Sequence, residues 1–222
     1  MRLKPDLVLG LPTGHTPLGM YEEVVRQHRE EGLDFSRVTA FNLDEYLGLS
    51  PEDPGSFTAY MRHHFFDRVN VAAENIHIPD GRPDVDAESE SARYEQAIRK
   101  AGGIDLLIVG IGANGHIAFN EPGSNFASRT RPVDLAPETV SSARQYFESE
   151  AATPHRAITV GIATILDARR ILLLAAGSGK SHAAARAIQG PVSESTPASA
   201  LQLHADVTAI LDQGAAANLS GH

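Results

Sequence analysis

Short apolar runs that are continuous rather than alternating recur along this chain, and they narrow the folds open to it. They lie at 6–11, 37–42, 76–79, 104–111, 157–161, 170–176 and 207–212. A strand with one wet face alternates apolar and polar residues; an unbroken apolar run belongs to a strand covered on both faces. Between these runs lie helical stretches at 17–31, 57–69, 87–101, 137–147 and 181–188, with Pro17 well placed for a first helical turn. Repeated strand–helix alternation predicts an α/β fold, a mainly parallel, doubly wound sheet with right-handed crossovers and helices on both faces. Residues 80–86 form a turn-rich connector, and the tail after about 212 has no periodicity and is expected to fray. The first strand candidate starts close to the N-terminus, so the sequence shows no leading helix.

At 222 residues the chain fits a single domain, and a hydrophobic fraction of 42% is ample for its core. The formal net charge of -9 argues against a nucleic-acid partner. Cysteine is absent, which removes disulfide and thiolate chemistry. No run approaches the length of a membrane span and no signal-like segment is present, so cytoplasmic residence is the expectation. With no Trp and 6% aromatics, a stacking platform for bases or sugars has little support.

Four loops carry the residues suited to chemistry. Gly110-Ile111-Gly112-Ala113-Asn114-Gly115-His116-Ile117-Ala118-Phe119-Asn120-Glu121-Pro122 follows the run at 104–111. Glycines let its backbone turn sharply and approach a ligand. A lone histidine is more often structural, but Asn114 and Glu121 around His116 fit an oriented acid–base group. A loop at the end of a buried strand is also where open α/β sheets place their ligands. Leu11-Pro12-Thr13-Gly14-His15-Thr16-Pro17 joins a strand to a helix N-terminus, which suits an anion held by backbone N–H groups; the plainer reading is an N-cap by Thr16. Asp44 and Glu45, just past the second strand, supply either a general base or a solvated turn. The fourth loop, Gly177-Ser178-Gly179-Lys180-Ser181, invites a nucleotide reading, but the first P-loop glycine falls on Leu174 and the pattern fails. What remains is a lysine at a helix start, suited to a phosphate, to which Arg144 adds a bidentate grip.

Other residues point less sharply. His63 and His64 read as a solvated helix face, and Arg129 and Arg131 as either a second anion site or a charged surface. No set of His, Asp and Glu shows metal-ligand spacing, so no metal is expected.

Taken together, these loops resemble the glucosamine-6-phosphate deaminase family. The resemblance rests on LPTGHTP (11–17), FNLDEYLGL (41–49), GIGANGHIAFNEPGSNFASRTR (110–131), ITVGIATILDA (158–168), LLAAGSGK (173–180) and ALQLH (200–204). GHIAFNEP is the most specific; the related 6-phosphogluconolactonases have a similar Gly-rich loop but lack the Asn-Glu-Pro and the DEY segment. The resemblance implies a Rossmann-like α/β fold and the conversion of D-glucosamine 6-phosphate and water to D-fructose 6-phosphate and ammonia, with no metal or organic cofactor. It assigns ring opening to His116, oriented by Glu121 with Asn114 beside it, and C2-to-C1 proton transfer to Asp44. Thr13, Gly14, His15, Thr16, Arg144 and Lys180 match the phosphate cradle, and Gly112, Ala113 and Gly115 the sugar-facing loop.

Three departures from the family pattern stand out. Asn114 replaces an aspartate of some members. Val133 replaces a lysine that allosterically activated members use, with the residue matching Arg131, to bind an activator. The leading helix and longer C-terminal segment of those members are not in this sequence. A monomer or small homo-oligomer acting on a small amino-sugar phosphate is therefore expected, with neither nucleic acid nor membrane as partner. The rival readings are a lactonase, which would have no use for a base at Asp44, and a non-catalytic sugar-phosphate sensor, which would need neither Asp44 nor the His116–Glu121 pair.

Overall fold

The computed structural model describes residues 4–149 and 152–220. Its strands are β1 (Val8–Leu11), β2 (Thr39–Asn42), β3 (Asp44–Tyr46), β4 (Ile76–His77), β5 (Leu106–Gly110), β6 (Arg131–Asp134), β7 (Arg156–Thr159), β8 (Ile171–Ala175) and β9 (Val207–Leu211). Its α-helices are α1 (Leu18–Glu31), α2 (Phe57–His64), α3 (Ala87–Lys100), α4 (Pro137–Ala143), α5 (Ile162–Leu166), α6 (Ser181–Gln189) and α7 (Gln213–Ala216).

Six strands form one parallel sheet in the order β4-β2-β1-β5-β8-β9. The chain works outward from β1 to β4, returns to place β5 beside β1, and works outward again. Strand order therefore reverses between β1 and β5, where such sheets open a crevice at their C-terminal edge. Alternate residues of each strand enter different cores. Val8, Leu107 and Val109 pack with Tyr94 and Ile98 of α3 and Ala183 and Ala187 of α6. Leu9 and Ile108 pack with Tyr21 and Val25 of α1 and Met61 of α2. Helices thus cover both faces, the arrangement that the continuous apolar runs require.

A second sheet, three antiparallel strands in the order β3-β7-β6, stands beside the mainly parallel sheet and was not expected from the sequence. The run at 157–161 belongs to it as β7, a central strand buried on both sides and so indistinguishable in composition from the parallel ones. β3 and β6 are short and polar. β6 carries Pro132, which a sheet tolerates at an edge.

The tail after Asp212, expected to fray, instead forms α7. Asp212 caps it, accepting from the Ala215 N–H (2.7 Å), and its other carboxylate oxygen accepts from the Gly177 N–H (2.9 Å). Ala215 is buried in the core and Gln189 bonds the backbone of Ser220. Small residues in this segment left no periodic signal to read.

Candidate active site

Three loops leave neighbouring parallel strands at the same edge: Pro12–Pro17 after β1, Ile111–Glu121 after β5, and Ala176–Lys180 after β8. The first turns on Gly14 (φ +89°). Its Pro12 and Gly14 carbonyls accept the hydroxyls of Tyr21 and Tyr60, both at 2.6 Å. No side chain caps α1, whose N-cap position is Pro17, so the N-cap reading of Thr16 does not hold. Apart from the Leu18 N–H, which donates to the His15 carbonyl (3.3 Å), the uncapped first turn keeps its N–H groups and its positive dipole end for another acceptor.

The second loop is folded around His116. The Gly112 N–H donates to the His116 carbonyl (2.9 Å) and the Gly115 N–H to the Gly112 carbonyl (3.0 Å). The imidazole lies on Gly112 so closely that a Cβ there would stand 2.3 Å from His116 Cε1. His116 Nδ1 is 3.3 Å from Glu121 Oε2, within ion-pair range though not aligned as a hydrogen bond. Asn114 ties the two together: its Oδ1 accepts from the His116 N–H (3.1 Å) and its Nδ2 donates to Glu121 Oε2 (2.8 Å). Thr139 of α4 donates to the other Glu121 oxygen. Burial would raise the Glu121 carboxyl. The His116 ring and the bonds from Thr139 and Asn114 outweigh it and hold Glu121 at about 2.

Asp44 enters from the second sheet. β7 holds it in place: Asp44 pairs with Thr159, whose hydroxyl accepts from the Phe119 N–H (3.0 Å), while the next carbonyl, Val160, accepts from Asn120 (2.8 Å). Thr159 at the end of β7 and Val160 just after it thus anchor β3 and the His116 loop. Tyr46, Phe57 and Phe119 fill the space between, with Tyr46 and Phe119 ring centres 5.5 Å apart. Asp44 is 6% exposed and its carboxylate makes no hydrogen bond among the described residues. Burial, then the charge of neighbouring Glu45, push it up to about 8.

On the third loop Lys180 is half-buried at the start of α6, and its ammonium has no hydrogen bond or ion pair among the described residues. Burial lowers it. An unpaired, partly desolvated cation beside an uncapped helix start suits an anion. Arg144 does not join it. It follows α4, is exposed, and donates to the Phe147 carbonyl of its own turn (2.7 Å). Cavities of about 500 and 470 Å³ lie along α3 and between α2, β3 and β4, and neither is lined by Asp44 or His116. Among the described residues, no cluster of three His, Asp or Glu could hold a metal, and no helix is long and apolar enough to cross a membrane.

Residues 2–210 match the family described as glucosamine-6-phosphate isomerases/6-phosphogluconolactonase. A glucosamine-6-phosphate deaminase of Halothermothrix orenii is 51% identical over 217 residues, 98% of this chain and 90% of the relative. One of Clostridium botulinum is 50% identical over 218 residues, 98% of this chain and 89% of the relative. A solved structure of a monomeric glucosamine-6-phosphate deaminase superposes with a TM-score of 0.95 at 46% identity, covering 98% of this chain and 90% of that one. A 6-phosphogluconolactonase of Thermotoga maritima (21% identity, TM-score 0.73, covering 95% of this chain and 86% of that one) shares the fold. The chain belongs to the glucosamine-6-phosphate deaminase family. It is an enzyme of the deaminase branch.

Within that family, the departure at Asn114 has a local reason here. Its amide donates to Glu121, where an ionised aspartate would place a second negative charge against the first. Gly112 and Gly115 belong to the same turn, whereas Ala113 faces solvent. Arg129 is engaged by Asp167 and Glu95, the charged-surface reading; Arg131 donates to Asn120 (2.9 Å) and so braces the loop. His63 is exposed, but His64 is half-buried with its ring against Tyr60 (4.5 Å). Sequence reading offered Glu45 only as a base or a turn residue beside Asp44, and did not find Thr139 or Tyr60. These last two reach the site through tertiary contacts, and nothing near them in sequence marks them.

Proposed function

We propose that the protein converts D-glucosamine 6-phosphate and water to D-fructose 6-phosphate and ammonia. The observation that carries this reading is the buried Asp44 carboxylate, without a hydrogen-bond partner among the described residues and fastened through β7 to the His116–Glu121 loop. A hydrolase of lactones needs no such second base. In the proposed sequence His116, oriented by Glu121, moves a proton from O1 to O5 and opens the ring. Asp44 in its ionised form then takes the proton from C2 and returns it to C1, while O1 gains a proton and the nitrogen gives one up, converting the open-chain aminoaldose through an enolamine to an isomeric ketimine. Water adds to C2 of the ketimine, the C2–N bond breaks and ammonia leaves. An α-proton transfer of this kind needs one carboxylate within reach of both carbons, and a clamped phosphate supplies that placement.

The phosphate is assigned to the Thr13–Thr16 loop, the start of α1 and Lys180. Arg144 takes part only by leaving the Phe147 carbonyl. Replacing Lys180 with Met is expected to raise KM roughly 10- to 100-fold, the value of one charge-assisted hydrogen bond, with a much smaller change in kcat. Steady-state kinetics check this, and an unchanged KM would remove Lys180 from the cradle.

The protein is assigned to the cytoplasm because a charged sugar phosphate does not cross a bilayer unaided. A monomer is the proposed working form, in line with the monomeric solved relative. The direct test is to incubate the purified protein with glucosamine 6-phosphate, without added metal, and assay both products. Equal release of ammonia and fructose 6-phosphate is expected. Folded protein that releases neither, or one without the other, would refute the assignment.

A further inference from the structure

Helix α2 touches both halves of this site, through two side chains that the reaction itself does not use. Glu45 follows Asp44 on β3, faces the opposite way and is 3% exposed. One carboxylate oxygen accepts from the N–H groups of Phe57 (2.8 Å) and Tyr46 (2.9 Å). The other accepts from the Thr58 N–H (2.8 Å) and the Thr58 hydroxyl (2.9 Å). The helix does not need Glu45 to begin, since Ser56 already caps it by accepting from the Ala59 N–H (3.0 Å). Burying a second carboxylate beside Asp44 is costly. What Glu45 adds is a tie from the helix start to β3.

One turn further on, the Tyr60 hydroxyl donates to the Gly14 carbonyl (2.6 Å). In a trans peptide the C=O and the following N–H point in opposite directions. Holding the Gly14 carbonyl against α2 therefore aims the His15 N–H, which has no partner among the described residues, away from α2. Met61, next to Tyr60, is fully buried with Tyr21 and Phe65, which keeps the helix from sliding.

We propose that α2 is a strut across the reaction site, with Glu45 locking its N-terminus to the Asp44 strand and Tyr60 locking its body to the Gly14 loop, so that the two act as positioning residues fixing the span between proton-transfer carboxylate and phosphate. The proposal rests on the reading of Asp44 and the Gly14 loop given above. If either lock is broken the strut is released, so the two are not independent.

The test is a double-mutant cycle of Tyr60→Phe and Glu45→Gln, reading kcat, KM and the inhibition constant of inorganic phosphate. Tyr60→Phe is expected to raise KM and the phosphate constant together by about 3- to 10-fold, the value of one neutral hydrogen bond, with kcat less affected. Glu45→Gln is expected to lower kcat about 10-fold or more. The double variant should lose less in kcat/KM than the product of the two single losses. A purely structural role would lower the melting temperature and leave KM and phosphate affinity alone. An unchanged phosphate constant in Tyr60→Phe, or losses that multiply in full, would overturn the strut. If Glu45→Gln does not fold, Thr58→Val, which removes one of the four bonds to Glu45, takes its place in the cycle. An inactive wild-type protein would refute the proposed reaction instead. Phosphate affinity, measured calorimetrically on wild type and Tyr60→Phe, would then decide the strut on its own.

Discussion

Replacing Asp44 with Asn is expected to lower kcat for glucosamine 6-phosphate by about 10²–10⁴-fold, the usual share of a general base, and at the same time to stabilise the protein above pH 8. The two effects have one cause. Asp44 lies in an unbonded, desolvated place beside another carboxylate, and its folded-state value is pushed up to about 8 from an ordinary 3.8 by burial first and Glu45 second. The folded protein thus holds a proton there that the unfolded chain has already released. A carboxyl raised in this way contributes fully to stability below about pH 4 and loses that contribution as pH rises through 8. Asparagine does not titrate, so its advantage over aspartate should be small near pH 4 and grow to a maximum above pH 8. The size of that gain follows from the displacement between 3.8 and about 8, and each 1 kcal/mol of it corresponds to about 2–4 °C in Tm for a chain of this size. Melting curves of both proteins at pH 4.5 and 8.5, beside their kinetics, separate the outcomes. An active Asn variant would end the base assignment, and a pH-independent Tm difference would end the account of the carboxyl's environment.

Gly112→Ala is expected to lower kcat about 100-fold without unfolding the protein. Gly112 is buried and its backbone is not left-handed, so alanine meets no dihedral penalty there. The obstacle is His116. The added carbon would stand 2.3 Å from His116 Cε1 and 2.5 Å from each ring nitrogen, against a normal carbon contact of about 3.5–4.0 Å. The ring has to move by about an ångström or more. Glu121 cannot follow, because Thr139 and Asn114 hold both of its oxygens. A displacement of that size between reacting groups costs on the order of 10²-fold. Inhibition by inorganic phosphate should be unchanged, since the loops after β1 and β8 are not touched. Near-normal kcat would mean that the imidazole does not need its place against Glu121.

The parallel sheet was legible because its strands are dry on both faces, and in β1, β5 and β8 nearly every residue is apolar. The helices were legible from their punctuation and period. The antiparallel sheet was not. β3 reads Asp44-Glu45-Tyr46, the composition of a turn, and becomes a strand only through pairing with β7. β6 contains a proline, and α5 is too short to show a helical period. The site divides in the same way. Asn114, His116 and Glu121 share one loop and could be linked from sequence alone. Thr139, Glu45, Tyr60 and Thr159 come from four other elements, and their part in the site is set by contacts that no local pattern encodes. Arg144 shows the converse: a residue type and position that suit a phosphate, on a turn where the guanidinium is spent on its own backbone.

The bond between Asp212 and the Gly177 N–H has a bearing on how the molecule is made. It spans 35 positions and draws the brace for the Lys180 loop from the far end of the chain. The His116 loop finds partners at residues 139 and 159–160, but its Gly115 carbonyl accepts from the Ala198 N–H (2.9 Å), close to the same end of the chain. Both halves of the site therefore lack a contact until late in the chain, Ala198 for the His116 loop and Asp212 for the Lys180 loop. During synthesis, neither loop has its full set of contacts until these late residues have left the ribosome.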